Sequence, residues 1–187
     1  MKKSALVLGL LLLATAANAN IIGLFADPAA TDCTSDMNAA YVTVNIKLVG
    51  VLTDVASITA AEFGATGVNL APMAIQTVTW TTTLVIGDIM TPQGVALAWT
   101  TPQAGPIVQL GNIAYFLLAA QPPDVRMCVV PSGAGVLAIV DADFVQHPAS
   151  GWCHVVNCVV GGQYGACTCL DNIPTQESSW GAVKSLF

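Results

Sequence analysis

Six cysteines, two histidines and a scatter of aspartates are the residues best equipped for chemistry, and their spacing decides what that chemistry can be. A nucleophile needs a base within hydrogen-bond reach, and Cys153 next to His154 comes nearest to such a pair. Adjacent side chains of a strand point to opposite faces, so in a strand the two cannot meet. The chain has no Gly-x-Ser-x-Gly elbow, no His-Glu-x-x-His helix and no phosphate-cradling glycine loop. His147 and His154 therefore read as loop residues, and no catalytic residue is assigned.

Metal chemistry has two candidate sources. Cys153, His154, Cys158, Cys167 and Cys169 crowd together, but they lack the paired Cys-x-x-Cys knuckles of structural zinc sites. Asp141 and Asp143 alternate about Ala142 and share a face if the segment is a strand, while Asp27, Asp32 and Asp36 flank Cys33. Calcium takes about six to eight oxygens, and Asp141 with Asp143 is the candidate pair for it. Neither cluster matches a recognised loop, so solvated loop acids are the simpler reading and no cofactor is assigned.

Aromatic side chains offer a contact surface instead. Trp80 and Trp99 sit in alternating apolar runs and read as core residues. Trp152 and Trp180 lie in turn-rich context and are the candidates for a surface contact, together with Val183 and Phe187.

The elements that must position these residues begin with an export signal. Lys2 and Lys3 precede an apolar run from Ala5 to Ala17, and Ala17-Asn18-Ala19 forms a small-x-small cleavage site. Residues 1–19 are thus read as a signal peptide. The remaining chain carries Lys47, Arg126 and Lys184 against eleven carboxylates, so its charge is 3 − 11 = −8. That balance disfavours nucleic acid and anionic lipid surfaces as partners, and no stable membrane span is expected after cleavage.

Six cysteines in an exported chain read as a disulfide framework: Cys33, Cys128, Cys153, Cys158, Cys167 and Cys169. If Gly161-Gly162 makes a two-residue turn, Val160 faces Gln163 and Cys158 faces Gly165, with Cys167 diagonal to Cys158 on the same face. A Cys158–Cys167 bridge then needs a bulge or a longer loop. Cys153–Cys169 would remain within the cluster, and Cys33–Cys128 follows by elimination. The spacing alone does not choose among the other pairings.

Between signal and cluster the pattern is β. Val42, Val44, Ile46 and Leu48 alternate with Tyr41, Thr43, Asn45 and Lys47, a half-buried strand. Further runs follow at Val55–Phe63, Ile75–Ile86, Val95–Thr100, Ile107–Leu118, Val125–Val130 and Val136–Val140. Turn chemistry separates them at Gly64–Gly67, Gly87-Asp88, Pro92–Gly94, Pro102–Pro106, Pro122-Pro123 and Pro131–Gly133. The chain is 55% hydrophobic and 9% charged, which excludes disorder and leaves a sandwich or a membrane barrel. At 6% aromatic, and with a poor alternating face before Phe187, it lacks the girdles of an outer-membrane barrel. The organisation expected is a β-sandwich domain over 20–148, a cysteine-rich hairpin region over 149–175 and a tail over 176–187. Ser178 or Ser179 caps a short terminal helix there, with Trp180, Val183 and Phe187 on one stripe.

Ile22-Gly23-Leu24-Phe25-Ala26-Asp27 followed by Cys33, and Ser179-Trp180-Gly181-Ala182-Val183-Lys184-Ser185-Leu186-Phe187, resemble the two ends of a family of small, uncharacterised exported proteins of uncultured Gram-negative bacteria. Members of that family commonly carry one more basic residue after the aromatic, and this chain stops at Phe187. Leu110-Gly111-Asn112-Ile113-Ala114-Tyr115-Phe116 is similar to a central strand of cohesin-like and immunoglobulin-like sandwiches. The resemblance implies secretion and an all-β, immunoglobulin-like or cohesin-like β-sandwich, with no activity to carry over. Two functional classes follow. One is a non-enzymatic secreted or cell-surface module that contacts protein or glycan at the envelope, or its own copies. The other is an exported hydrolase or metal-dependent enzyme whose site is built from scattered residues.

Overall fold

The computed structural model describes residues 20–160 together with 163, 164, 167 and 169. Residues 1–19, read as a signal peptide, and the tail 176–187, with its expected helix and with Trp180, Val183 and Phe187, lie outside the described residues. Among the described residues the regular structure is β, and no α-helix occurs. The strands are β1 (Asn20–Phe25), β2 (Thr34–Ser35), β3 (Thr43–Val51), β4 (Ser57–Thr66), β5 (Ala74–Trp80), β6 (Leu84–Asp88) and β7 (Gly94–Ala104). After them come β8 (Ile107–Leu117), β9 (Val125–Val130), β10 (Ala138–Asp141), β11 (Gln146–Gly151), β12 (Cys153–Val156), β13 (Val159–Val160) and β14 (Gln163–Tyr164).

These strands form a β-sandwich. One layer is antiparallel in the order β5-β8-β3-β1. The other places β7 between β6 and β4. The far edge of β4 is shared: β10 pairs along Ile58–Glu62 and β9 along Gly64–Thr66. β11 joins the layers, antiparallel to β10 and parallel to β1, and β12 extends β9 outward to β2. The sheet therefore runs past the boundary expected at position 149.

Alternation positions the core. Ile46 and Leu48 of β3 are buried, as the period-2 pattern requires, although the strand opens at Thr43 and leaves Val42 partly exposed. They meet Leu110, Ile113 and Tyr115 of β8 and face Phe63, Val95, Leu97 and Ile139 of the second layer. Trp99 is buried and Trp80 stands edge-on to Phe63, ring centroids 6.4 Å apart, so both tryptophans serve the core. The Tyr115 hydroxyl donates to the Val68 carbonyl at 2.9 Å, and burial pushes its pKa up.

Two expectations change. The run Ile75–Ile86 is two strands in different layers: β5 pairs β8 and β6 pairs β7. The crossing is held by threonine, Thr81 Oγ1 donating to the Gln109 and Leu110 carbonyls at 3.0 Å and Thr82 Oγ1 to the Ala98 carbonyl. Gly64–Gly67 is not a turn at its start, because β4 continues to Thr66. A Cβ on Gly64 would sit 2.9 Å from the Pro131 carbonyl, so that glycine serves a close approach of backbones.

Candidate functional site

The cysteines are resolved into Cys33–Cys169, Cys128–Cys153 and Cys158–Cys167. Cys158–Cys167 is the pair expected beside the hairpin, whose register sets Val160 against Gln163. The other two pairings are corrections. Cys128 and Cys153 are direct cross-strand neighbours on β9 and β12, with Cα atoms 4.0 Å apart, close to the narrow pair spacing of an antiparallel ladder. That leaves Cys33 to Cys169, 136 positions away in sequence. With every cysteine oxidised, the zinc alternative has no thiolate to use.

Asp141 and Asp143, the calcium candidates, are engaged within their own turn. β10 ends at Asp141, so the strand alternation that would align Asp143 with it is absent. Asp141 Oδ1 accepts the Asp143 and Val145 backbone N–H groups at 2.9 Å, and Oδ2 lies 2.8 Å from His147 Nε2. The hydrogen bond with His147, followed by that of Val145, holds this carboxyl below the usual carboxylate range. Its oxygens are taken by a tight turn and a histidine, a donor set that does not fit calcium. Asp27 and Asp32 are likewise committed to their loop. Desolvation alone would raise the Asp27 pKa, but hydrogen bonds from Asp32 and Thr31 hold it low, and Asp32 Oδ1 accepts from Thr34.

Neither histidine is a loop residue. His147 lies on β11, and its second ring nitrogen faces Asp54 at 4.0 Å, so both nitrogens address carboxylates. His154 lies on β12, fully buried, with neither ring nitrogen hydrogen-bonded among the described residues. Burial lowers its pKa to about 4, against a small opposing pull from Asp32. Cys153, its strand neighbour, is tied into a disulfide. Trp152, expected at the surface, packs on the satellite cluster of Phe25, Cys33 and Val49.

A different site emerges on the outer face of the second layer. Cross-strand register aligns Gln146, Val140, Ala60, Ala98 and Leu84 in one rung across β11, β10, β4, β7 and β6. The next rung is Pro148, Ala138, Glu62, Ala96 and Ile86. Five strands span about 19 Å at ordinary strand spacing. Alanine is a poor strand former, so Ala60, Ala96, Ala98 and Ala138 do not sit there for β propensity. Their small side chains floor a trough of about 420 Å³, walled by Leu84 and Ile86 on one side and Val136 and Val140 on the other. Leu84 is 50% and Ile86 78% exposed.

Part of the outer face of the first layer has the opposite character. There Lys47 Nζ donates to Asn112 Oδ1 at 2.9 Å and Asn112 Nδ2 to Asn45 Oδ1 at 3.0 Å, beside exposed Thr77 and Thr79. The polar ladder occupies the Lys47–Asn112 end of this face, while Ile75 and Phe116, paired across β5 and β8, are exposed at its other end. Inspection of the sequence missed the trough, although a signal was present: in Val95-Ala96-Leu97-Ala98-Trp99 the positions between core residues carry alanine where an ordinary wet face carries polar side chains.

No known family model matches the chain, and no curated protein matches it. Among solved structures it is similar to the sixth cohesin of scaffoldin B from Acetivibrio cellulolyticus, solved in complex with a dockerin. The TM-score is 0.48 at 9% identity, over 75% of this chain and 99% of that one. It is also similar to a cohesin module from a Clostridium perfringens family 33 glycoside hydrolase, with a TM-score of 0.44 at 9% identity over 75% and 99%. The resemblance is one of sandwich outline.

Proposed function

We propose that this chain is a non-enzymatic, exported binding module that docks a protein partner through the trough of β6, β7, β4 and β10. The observation that carries the reading is the contrast between the trough and the Lys47–Asn112–Asn45 ladder. A solvent-facing antiparallel sheet ordinarily alternates apolar-in and polar-out, as the Lys47–Asn112–Asn45 face does. The trough keeps alanine, leucine, isoleucine and valine on the outside, the composition of a surface meant to be covered. None of its lining residues is aromatic, which favours protein over glycan, since sugar platforms use aromatic faces. Three disulfides support an oxidising compartment, in keeping with the export signal read at residues 1–19 and with the resemblance of Ile22–Asp27 and Cys33 to exported proteins.

The test is paired substitution of the two faces. Ala98→Arg fills the trough and Thr79→Arg alters the polar ladder, and each variant is used beside the parent in capture from envelope and culture-fluid extracts. A partner held by the parent and by Thr79→Arg but released by Ala98→Arg is the expected result. Equal capture by all three, or loss confined to Thr79→Arg, overturns the assignment of the face.

A further inference from the structure

Glu62 is the ionisable side chain that lines the trough, and among the described residues no basic side chain is paired with it. It stands in the rung between Ala138 and Ala96, half-buried, with apolar side chains to either side. Its Oε1 accepts from Ser132 Oγ at 2.7 Å. Ser132 is itself buried, and its Oγ accepts in turn from the Val136 N–H at 3.3 Å, which fixes the direction in which the carboxylate is held. The basic residues among those described are elsewhere: Lys47 is bonded to Asn112 on the opposite face, and Arg126 lies on β9.

Resting on the docking role above, we propose that the trough is specific for a partner segment that brings a lysine or arginine to Glu62, its stem lying along Ala96 and Ile86. Covering an unpaired carboxylate with apolar surface alone carries a desolvation penalty that the alanine floor cannot offset. A long basic side chain resolves this, because its alkyl stem covers apolar surface while its head supplies charge-assisted donors. The charge of −8 on the chain after residue 19 draws the same class of partner. A second copy of the chain is disfavoured, since a two-fold face-to-face contact brings one Glu62 towards another.

The experiment uses three probes of equal chain length, hexylguanidinium, hexanol and hexanoate, titrated into the disulfide-bonded, 15N-labelled protein. Saturable shifts at the Ala96, Ala98 and Ala138 amides are expected for hexylguanidinium at an affinity at least tenfold above that of hexanol. The advantage is expected to vanish in Glu62→Gln, to shrink in Ser132→Ala and to fall at 0.5 M salt. Equal affinity of hexanol and hexylguanidinium, or tighter binding of hexanoate, overturns the Glu62 anchor while leaving the docking face intact. Failure of all three probes to perturb the trough overturns both. Because the probe series is read on the parent protein, the outcome does not depend on any variant folding.

Discussion

His154 shows how one buried group ties stability to acidity. In the unfolded chain an imidazole titrates near 6.5, whereas burial holds this one at about 4. Between those values the unfolded state binds a proton that the folded state refuses, so stability is full above pH 6.5 and declines as pH falls. The separation is worth about 3 kcal/mol once both states are protonated. His154→Leu is expected to flatten the dependence of melting temperature on pH between 6.5 and 4; an unchanged slope would show that the ring is hydrated or partnered. Asp141 acts in a lower window. Its pKa is depressed when folded, so its contribution is present above the ordinary carboxylate range and is lost as pH falls through the folded value. Asp141→Ala should therefore lower the melting temperature at pH 7 and make little difference at pH 2.

At the scale of elements, β4 carries the most demands. It packs Ile58, Ala61 and Phe63 into the core, although strict alternation would place Ile58 and Phe63 on opposite faces. The register shift between Ile58 and Ala60 supplies the missing step, and Thr59 Oγ1 anchors it by donating to the Asp141 carbonyl at 2.7 Å. Gly94 starts β7 at a φ of +76°, where an added Cβ would strike the Phe63 carbonyl. Gly94→Ala is expected to be severely destabilising in urea denaturation, a change that Ala96→Gly on the same strand would not match. The Cys128–Cys153 bridge pins β12 to β9. Replacing both cysteines by alanine should cost about 3 kcal/mol of unfolding free energy, and non-reducing peptide mapping should recover Cys33–Cys169 and Cys158–Cys167 intact.

For the whole molecule, the two outer surfaces of the sandwich differ in composition: a polar ladder runs through Lys47, Asn112 and Asn45, and the trough is lined mainly by alanine, leucine, isoleucine and valine. A neutral apolar dye such as Nile red should bind the native protein at neutral pH. Ala98→Glu should remove that binding with the melting temperature changed by no more than about 2 °C, since the site faces solvent and the core is untouched. Dye binding that survives Ala98→Glu would place the apolar surface elsewhere, for instance at Ile75 and Phe116, which pair on β5 and β8 and are both exposed.

Period-2 alternation determined the all-β class, the inward set of Ile46 and Leu48 and the core placement of Trp80 and Trp99, because each rests on neighbours within a few residues. The even number of cysteines pointed to oxidation, and the register of Val160 against Gln163 was legible in the sequence of the hairpin. What the tertiary structure alone decided is which strands lie side by side. Cys128 finds Cys153 only through the β9–β12 register, and Cys33 finds Cys169 across most of the chain. His147 and His154 became strand residues because β11 and β12 are recruited into the main sheet, which Pro148 and the surrounding turn-like residues did not announce. The trough is the fullest case. Ala60, Ala98, Val140 and Leu84 come from four separate segments, and each is unremarked in its own. They become a surface only when non-local hydrogen bonding aligns them in one rung, and that alignment is settled by burial of the opposite face.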